Sequence, residues 1–207
     1  MPENLHKLFV ISSPSGGGKT SLINKLFEDS RSANFEKSIS DTSRQKRQGD
    51  LEGKDYYFLS EKDFKDKIKK EEYVEYATVF GNFYGTSKEE IKTKYNNSNL
   101  ILELDWQGAY AVKELFDDAK LIFLVPPSLD DLKQRLIKRN LDSSEAIENR
   151  LSEAKKEISK SEIYDFLVLN DDFDKAFEDL SQILFEGISP IDFNSRASKD
   201  LIKRLVE

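Results

Sequence analysis

The sequence predicts an α/β fold, a parallel sheet wrapped by helices, and three observations predict it. The apolar run Leu8-Phe9-Val10-Ile11 feeds a glycine-rich turn that opens a helical stretch. Further short apolar runs alternate with helical patterns, the rhythm of β-α-β units. Two long polar stretches interrupt that rhythm, as insertions into a sheet core do.

Taken in order, Leu8–Ser12 reads as the first strand, and Leu22, Ile23, Leu26 and Phe27 give Lys19–Glu28 a helical apolar face. Residues 37–95 are polar, rich in Tyr and Phe, and punctuated by Gly49, Gly53, Gly81 and Gly85. They predict short antiparallel strands and a charged helix near Glu61–Lys70, forming a mixed-sheet, substrate-binding insert. Strands follow at Leu100–Leu104, Leu121–Val125 and Phe166–Leu169, each nearly all apolar, as strands buried on both faces are. Helices fall between and after them, at Ala109–Phe116, Leu129–Arg139 and Phe173–Glu186. Residues 127–165 are highly charged and helical, with arginines at 135, 139 and 150, the composition of a mobile lid. Ala197–Val206 closes the chain as an amphipathic packing helix. The whole reads as one domain, 1–207, with a core of 1–36, 96–126 and 166–207, the insert at 37–95 and the lid at 127–165.

Composition narrows the function. Hydrophobic residues make up 38% and charged residues 34% of the 207, the balance of a globular protein rather than a disordered one. The absence of cysteine excludes disulfides and thiolate metal sites. A net charge of −7 argues against a general nucleic-acid binder. No apolar run is long enough to span a bilayer and no secretory apolar segment follows Met1, so the expectation is a cytoplasmic protein without a membrane partner. The sole histidine, His6, precedes the first strand, which leaves histidine acid–base chemistry without support.

Ser13-Pro14-Ser15-Gly16-Gly17-Gly18-Lys19-Thr20, between a strand and a helix, has the context a phosphate-binding loop needs. Glycines let backbone N–H groups converge on phosphate oxygens. Lys19 adds a point charge, the Thr20 hydroxyl can ligate Mg²⁺, Ser21 follows in the first turn, and the helix presents its positive end to the anion. Ser13 stands where the usual pattern has its first glycine. These residues predict a site for the phosphate tail of a nucleotide.

Three further clusters carry chemistry. Ser40-Asp41-Thr42-Ser43-Arg44-Gln45-Lys46-Arg47 places two guanidiniums three positions apart, able to clamp one phosphate bidentately, and Gly53-Lys54-Asp55-Tyr56 adds a neutral donor. The second comprises Val74-Glu75 and Gly81-Asn82-Phe83-Tyr84-Gly85-Thr86. In the third, Leu102-Glu103-Leu104-Asp105-Trp106-Gln107-Gly108, carboxylates sit at the carboxyl end of a buried strand, where α/β proteins hold ligands.

The order of these motifs, completed by the arginine-rich lid and Leu169-Asn170-Asp171-Asp172, resembles the guanylate kinase family, ATP:GMP phosphotransferases, over about residues 6–187. The resemblance implies the fold of a P-loop nucleoside monophosphate kinase, reversible transfer from MgATP to GMP or dGMP, and Mg²⁺ as cofactor. It implies that Arg44, Arg47, Tyr56 and Tyr84 hold the GMP phosphate and that Ser40, Glu75 and Thr86 read guanine. Asp105 would lie near the base, ribose or metal, with Thr20 and Glu103 as the other metal candidates. Residues 13–21 and Arg135 would bind ATP, with Asn170 beside the adenine. Lys19, Arg47, Arg139 and Arg150 would neutralise charge on the transferring group. Guanine offers adjacent N1–H and N2–H₂ donors that one ionised carboxylate accepts together; adenine presents a bare acceptor there. A site built so rejects the wrong base by about 10⁴ or more, because its polar groups are left unpaired.

Three positions depart from the family pattern: Glu103 stands where Asp is usual, Lys46 where Pro is common, and Phe83 where Tyr is frequent. Two other readings stay open at this point. One is a non-catalytic guanylate-kinase-like interaction domain, against which the intact Gly18-Lys19-Thr20 and the lack of room for a companion module speak. The other is a related P-loop kinase acting on another phosphorylated sugar or nucleotide, which would have no use for Glu75, Ser40 and Thr86 together.

Overall fold

Five consecutive buried residues, Leu8–Ser12, form β1 of a computed structural model that describes residues 6–138, 144–192 and 195–206. The elements that follow are α1 (Lys19–Glu28), a 3₁₀ turn (Ser30–Asn34), β2 (Phe35–Lys37), β3 (Asp41–Thr42), β4 (Tyr57–Phe58), α2 (Glu61–Lys69), β5 (Tyr73–Val79) and β6 (Asn82–Ser87). Then come α3 (Lys88–Tyr95), β7 (Asn99–Glu103), α4 (Trp106–Leu115), β8 (Lys120–Val125), α5 (Leu129–Lys138) and α6 (Ser144–Ser159). A second 3₁₀ turn (Ser161–Ile163), β9 (Phe166–Leu169), α7 (Phe173–Ser181), a π-helical turn (Gln182–Glu186) and α8 (Arg196–Val206) complete the order. The strands form two sheets, β2-β7-β1-β8-β9 and β4-β3-β6-β5. In the first, β2–β7 and β8–β9 pair in parallel, as the α/β reading expects.

The chain divides into two compact units. One comprises the chain through Val10 together with Asn34–Ala119; the other comprises Ile11–Ala33 and the described part of Lys120–Glu207. In the first unit, β5 and β6 make an antiparallel hairpin, β3 pairs antiparallel with β6, and β4 joins parallel, so the small sheet is mixed. The hairpin turns at Phe80 and Gly81, both with positive φ, as two-residue turns between right-twisted strands require. Phe64 of α2 stacks on Tyr73 and Phe83, and Lys67 of the same helix pairs with the buried Asp41, which also accepts from the Tyr73 hydroxyl. Helix α2 is thereby fixed to its sheet by rings at the centre and by a paired, hydrogen-bonded charge.

In the second unit, α1 buries Leu22, Ile23 and Leu26 while α7 buries Ala176 and Leu180, and these two helices pack together. β8 is buried from Leu121 to Val125 and β9 at Leu167 and Val168. Each such aliphatic side chain contributes about 1.5–3 kcal/mol on leaving water. The charged helices expected after residue 127 form as α5 and α6; α5 buries Leu132 and Leu136 and exposes Asp130, Asp131 and Lys138.

Candidate active site

One group of candidate residues lies in the second unit. β1 ends at Ser12, and the loop runs to Gly18, which caps α1 in the left-handed conformation (φ 92°). Gly18 offers no side chain to cap this helix and no acidic residue occupies its first turn, so its positive end suits an anion. Gly18 is required twice over: its φ disfavours a side chain, and a Cβ would collide with the Asn170 amide. That amide is 4% exposed and donates to the Gly17 carbonyl at 2.7 Å, holding the loop from the end of β9. Arg135 of α5 donates from Nη2 to the Asn170 backbone carbonyl at 2.7 Å, and Arg150 of α6 donates from Nη1 to the Ser15 hydroxyl at 3.2 Å. A cavity of about 380 Å³ opens among Gly16, Gly18, Ser21, Arg135, Asn170 and Phe173.

The sequence-predicted residues Ser13–Ser21, Arg135, Arg150 and Asn170 therefore belong to one unit, with both arginines and Asn170 bonded to the loop or to its brace. Arg139 lies outside the described residues. Asn170 borders the cavity, but its side-chain amide is engaged with the loop. Phe173, at the start of α7, exposes a ring to the same cavity and was not singled out by sequence, where it reads as one more apolar helical residue.

Another group of candidate residues lies in the first unit, on the small mixed sheet and α4. The Tyr56 and Tyr84 rings meet edge to face at 5.7 Å, and the Arg44 guanidinium lies 5.3 Å over Tyr56. Burial is the main cause that pushes the Tyr56 phenol up to about 12, so it stays a neutral donor across the working range. Arg44 pairs with Asp50 at 2.9 Å, and Asp50 also accepts from the Arg47 amide at 2.7 Å. That amide, and then the Arg44 guanidinium, hold the Asp50 carboxyl below the usual carboxylate range. Asp50 was missed by sequence reasoning; an acid three residues after Arg47 carries no spacing signal. Arg47 is exposed.

Glu75 pairs directly with Thr86 in the β5–β6 register, and Thr86 lies with its hydroxyl 3.4 Å from that of Ser40. These three sequence-predicted residues are brought together. Glu75 is 5% exposed, and its Oε1 has no hydrogen-bond partner among the described residues. Burial pushes its carboxyl up to about 7; hydrogen bonds from Thr86 oppose the rise and the charge of Asp105 adds to it. A buried acceptor without a donor is costly, and a ligand with N–H groups satisfies it.

Asp105 caps α4, its Oδ1 accepting from the Gly108 amide at 2.9 Å. Glu103, at the end of β7, pairs with Lys37 at 2.7 Å. No group of three or more acidic or histidine side chains suited to a metal occurs among the described residues. Mg²⁺ needs no such cage, since it keeps several waters and is held through substrate phosphates, and the Thr20 hydroxyl beside a phosphate loop is a hard oxygen donor of the right kind. Glu103 and Asp105 would each have to share a carboxylate already engaged.

Comparison with known proteins bears on the whole chain. Residues 5–187 match the family described as guanylate kinase. A guanylate kinase of Wolbachia sp. subsp. Brugia malayi is 45% identical over 184 residues, covering 88% of this chain and 93% of its own length. One of Hahella chejuensis is 47% identical over 178 residues, 86% of this chain and 85% of its own. The crystal structure of guanylate kinase from Anaplasma phagocytophilum superposes with a TM-score of 0.72 at 31% identity, covering 99% of this chain and 98% of that one.

Proposed function

Because this chain belongs to the guanylate kinase family, we propose that it transfers the γ-phosphoryl group of ATP reversibly to GMP, or to dGMP, giving ADP and GDP. The observation that carries the choice of acceptor is Glu75: buried, with one oxygen unpartnered, and flanked by the hydroxyl of Thr86. Ionised, it would accept from N1–H and N2–H₂ of guanine together, with Ser40 and Thr86 as further polar partners. Arg44, Arg47, Tyr56 and Tyr84 would hold the GMP phosphate, with Asp50 orienting Arg44 until the phosphate arrives.

GMP brings its own nucleophile, a phosphate oxygen already anionic at neutral pH, so no general base is required. That oxygen bonds to the γ-phosphorus as the bond to the bridging oxygen of ADP breaks. What remains for the protein is positioning and charge. The N-terminus of α1 and Lys19 would hold the phosphate tail of ATP, Arg135 and the cavity beside Phe173 its nucleoside, and Asn170 the shape of the loop. Arg47 and Arg150 would neutralise charge that develops on transfer; the same role for Arg139 rests on the sequence alone. Mg²⁺, held by Thr20 and the nucleotide phosphates, would supply further charge neutralisation.

A cytoplasmic location belongs to the same reading, and among the described residues no helix is long and apolar enough to cross a membrane. The test is a coupled assay of ADP formation from ATP with GMP, AMP, CMP and UMP. Turnover with GMP alone, or with dGMP, is expected; equal turnover with AMP overturns the reading.

A further inference from the structure

Gly108 occupies a place where nothing in its own backbone calls for glycine. It is the third residue of α4, its amide donates to the Asp105 cap, and its φ is not positive. Alanine is the better helix former at such a position. The reason for glycine lies in what faces its Cα. A Cβ there would stand 2.9 Å from Glu75 Oε2, 3.1 Å from Leu104 Cβ and 3.2 Å from Leu104 Cδ1. Leu104 is buried, and its Cβ is tied to the backbone one residue before the cap of α4. Relief on that side is therefore small, and the mobile group is the Glu75 carboxylate.

That carboxylate is also hydrogen-bonded by Thr86, its partner across the β5–β6 pair. Its Oε2 faces the bare Cα of Gly108, and its Oε1 is left unpartnered among the described residues. We infer that Gly108 is a positioning residue for base recognition: by lacking a Cβ it lets the Glu75 carboxylate sit against the first turn of α4, where both oxygens can meet the guanine edge. This rests on the reading of Glu75 as the guanine acceptor. Two donors on a planar base need both oxygens near one plane, so a displacement of a few tenths of an ångström acts on recognition before it acts on chemistry.

The experiment is a cycle of Gly108→Ala and Glu75→Gln, read in GMP binding and in steady-state kinetics. Gly108→Ala is expected to raise the KM for GMP by roughly 10–100-fold, the scale of one or two hydrogen bonds to a charged group. Its kcat and its KM for ATP should stay within about threefold of wild type. The preference for GMP over IMP, which lacks the 2-amino group, should shrink. In the Glu75→Gln background the added methyl should cost GMP binding less than about threefold, since both changes act through one group. An equal cost in both backgrounds overturns the inference in favour of general packing. Normal GMP binding by Gly108→Ala, with binding lost in Glu75→Gln, overturns it while leaving the guanine reading standing. Normal GMP binding by Glu75→Gln removes both. Should Gly108→Ala fail to fold, Glu75→Ala/Gly108→Ala decides: stability equal to that of Glu75→Ala supports the carboxylate contact, and an unfolded double variant overturns it.

Discussion

Glu75 makes the stability of the unliganded protein depend on pH in a direction opposite to that of a salt-bridged acid. Its carboxyl has an ordinary value of 4.5 and is held at about 7 in the folded chain, chiefly by burial. Below 4.5 it is protonated in both folded and unfolded chains and adds no pH dependence. Between 4.5 and about 7 the unfolded chain loses the proton while the folded chain keeps it. The folded state then binds more protons, so stability falls as pH rises. Above 7 both states are ionised and the loss is complete, on the order of 3 kcal/mol at about 1.4 kcal/mol per pH unit. Glu75→Gln removes this titration. The assay is thermal unfolding of wild type and Glu75→Gln from pH 5 to 8.5 without nucleotide. The Tm of the variant relative to wild type should climb with pH and level off above about 7. The total climb should be about 6–12 °C for a chain of this size. Taking the difference cancels the other carboxylates. GMP should reverse the trend for wild type, because guanine requires the ionised form and its binding below pH 7 releases the Glu75 proton. Parallel Tm curves for the two proteins across this range would refute the reasoning: the carboxylate would then be solvated, or already paired.

Two other expectations concern charge at the phosphates. Lys19→Ala should abolish phosphoryl transfer with circular dichroism and Tm close to wild type, since Lys19 is a functional charge at the start of α1 rather than part of the core; near-normal turnover removes the phosphate-loop assignment. Arg150→Ala and Arg139→Ala should each lower kcat by about 10²–10⁵, by analogy with arginines that stabilise transferring phosphoryl groups, with little effect on the Kd for GMP. Arg44→Ala should do the reverse, weakening GMP binding more than turnover. Lysine at 150 should not restore the full rate, as it lacks the planar fork. Normal turnover with poor GMP binding in the lid variants would move the catalytic role elsewhere.

How much of this was legible in the sequence varies with the physics of each element. β1 and α1 fall where the sequence places them, at Leu8–Ser12 and Lys19–Glu28, because a buried strand, a glycine turn and an apolar helical face are all local signals. Helix α4 begins at Trp106 rather than at the expected Ala109, because Asp105 caps it through Gly108 before the apolar pattern starts. β2 was not read at all: three residues, Phe35–Lys37, are too few to show a period, and their pairing with β7 is a long-range fact. The last helix of the expected Phe173–Glu186 run ends in a π turn and a left-handed Gly187, an adjustment that composition does not report. The candidate site residues could be picked out as residue types in a familiar order. Their couplings could not: Asn170 bracing Gly17, Asp50 holding Arg44 and the contact of Glu75 with Gly108 join positions whose spacing obeys no period.

The central claim is that a kinase built on this phosphate loop chooses its acceptor through one buried carboxylate. Initial rates of ADP formation from ATP, with GMP and with AMP as acceptors, for wild type and Glu75→Gln test it most directly. The account predicts fast turnover with GMP and negligible turnover with AMP for wild type. For the variant it predicts GMP binding weaker by roughly 1.5–3 kcal/mol, the worth of a hydrogen bond to a charged group, with ATP binding unchanged. Wild-type rates and base preference in Glu75→Gln would contradict it, and would mean that the guanine is read by other residues.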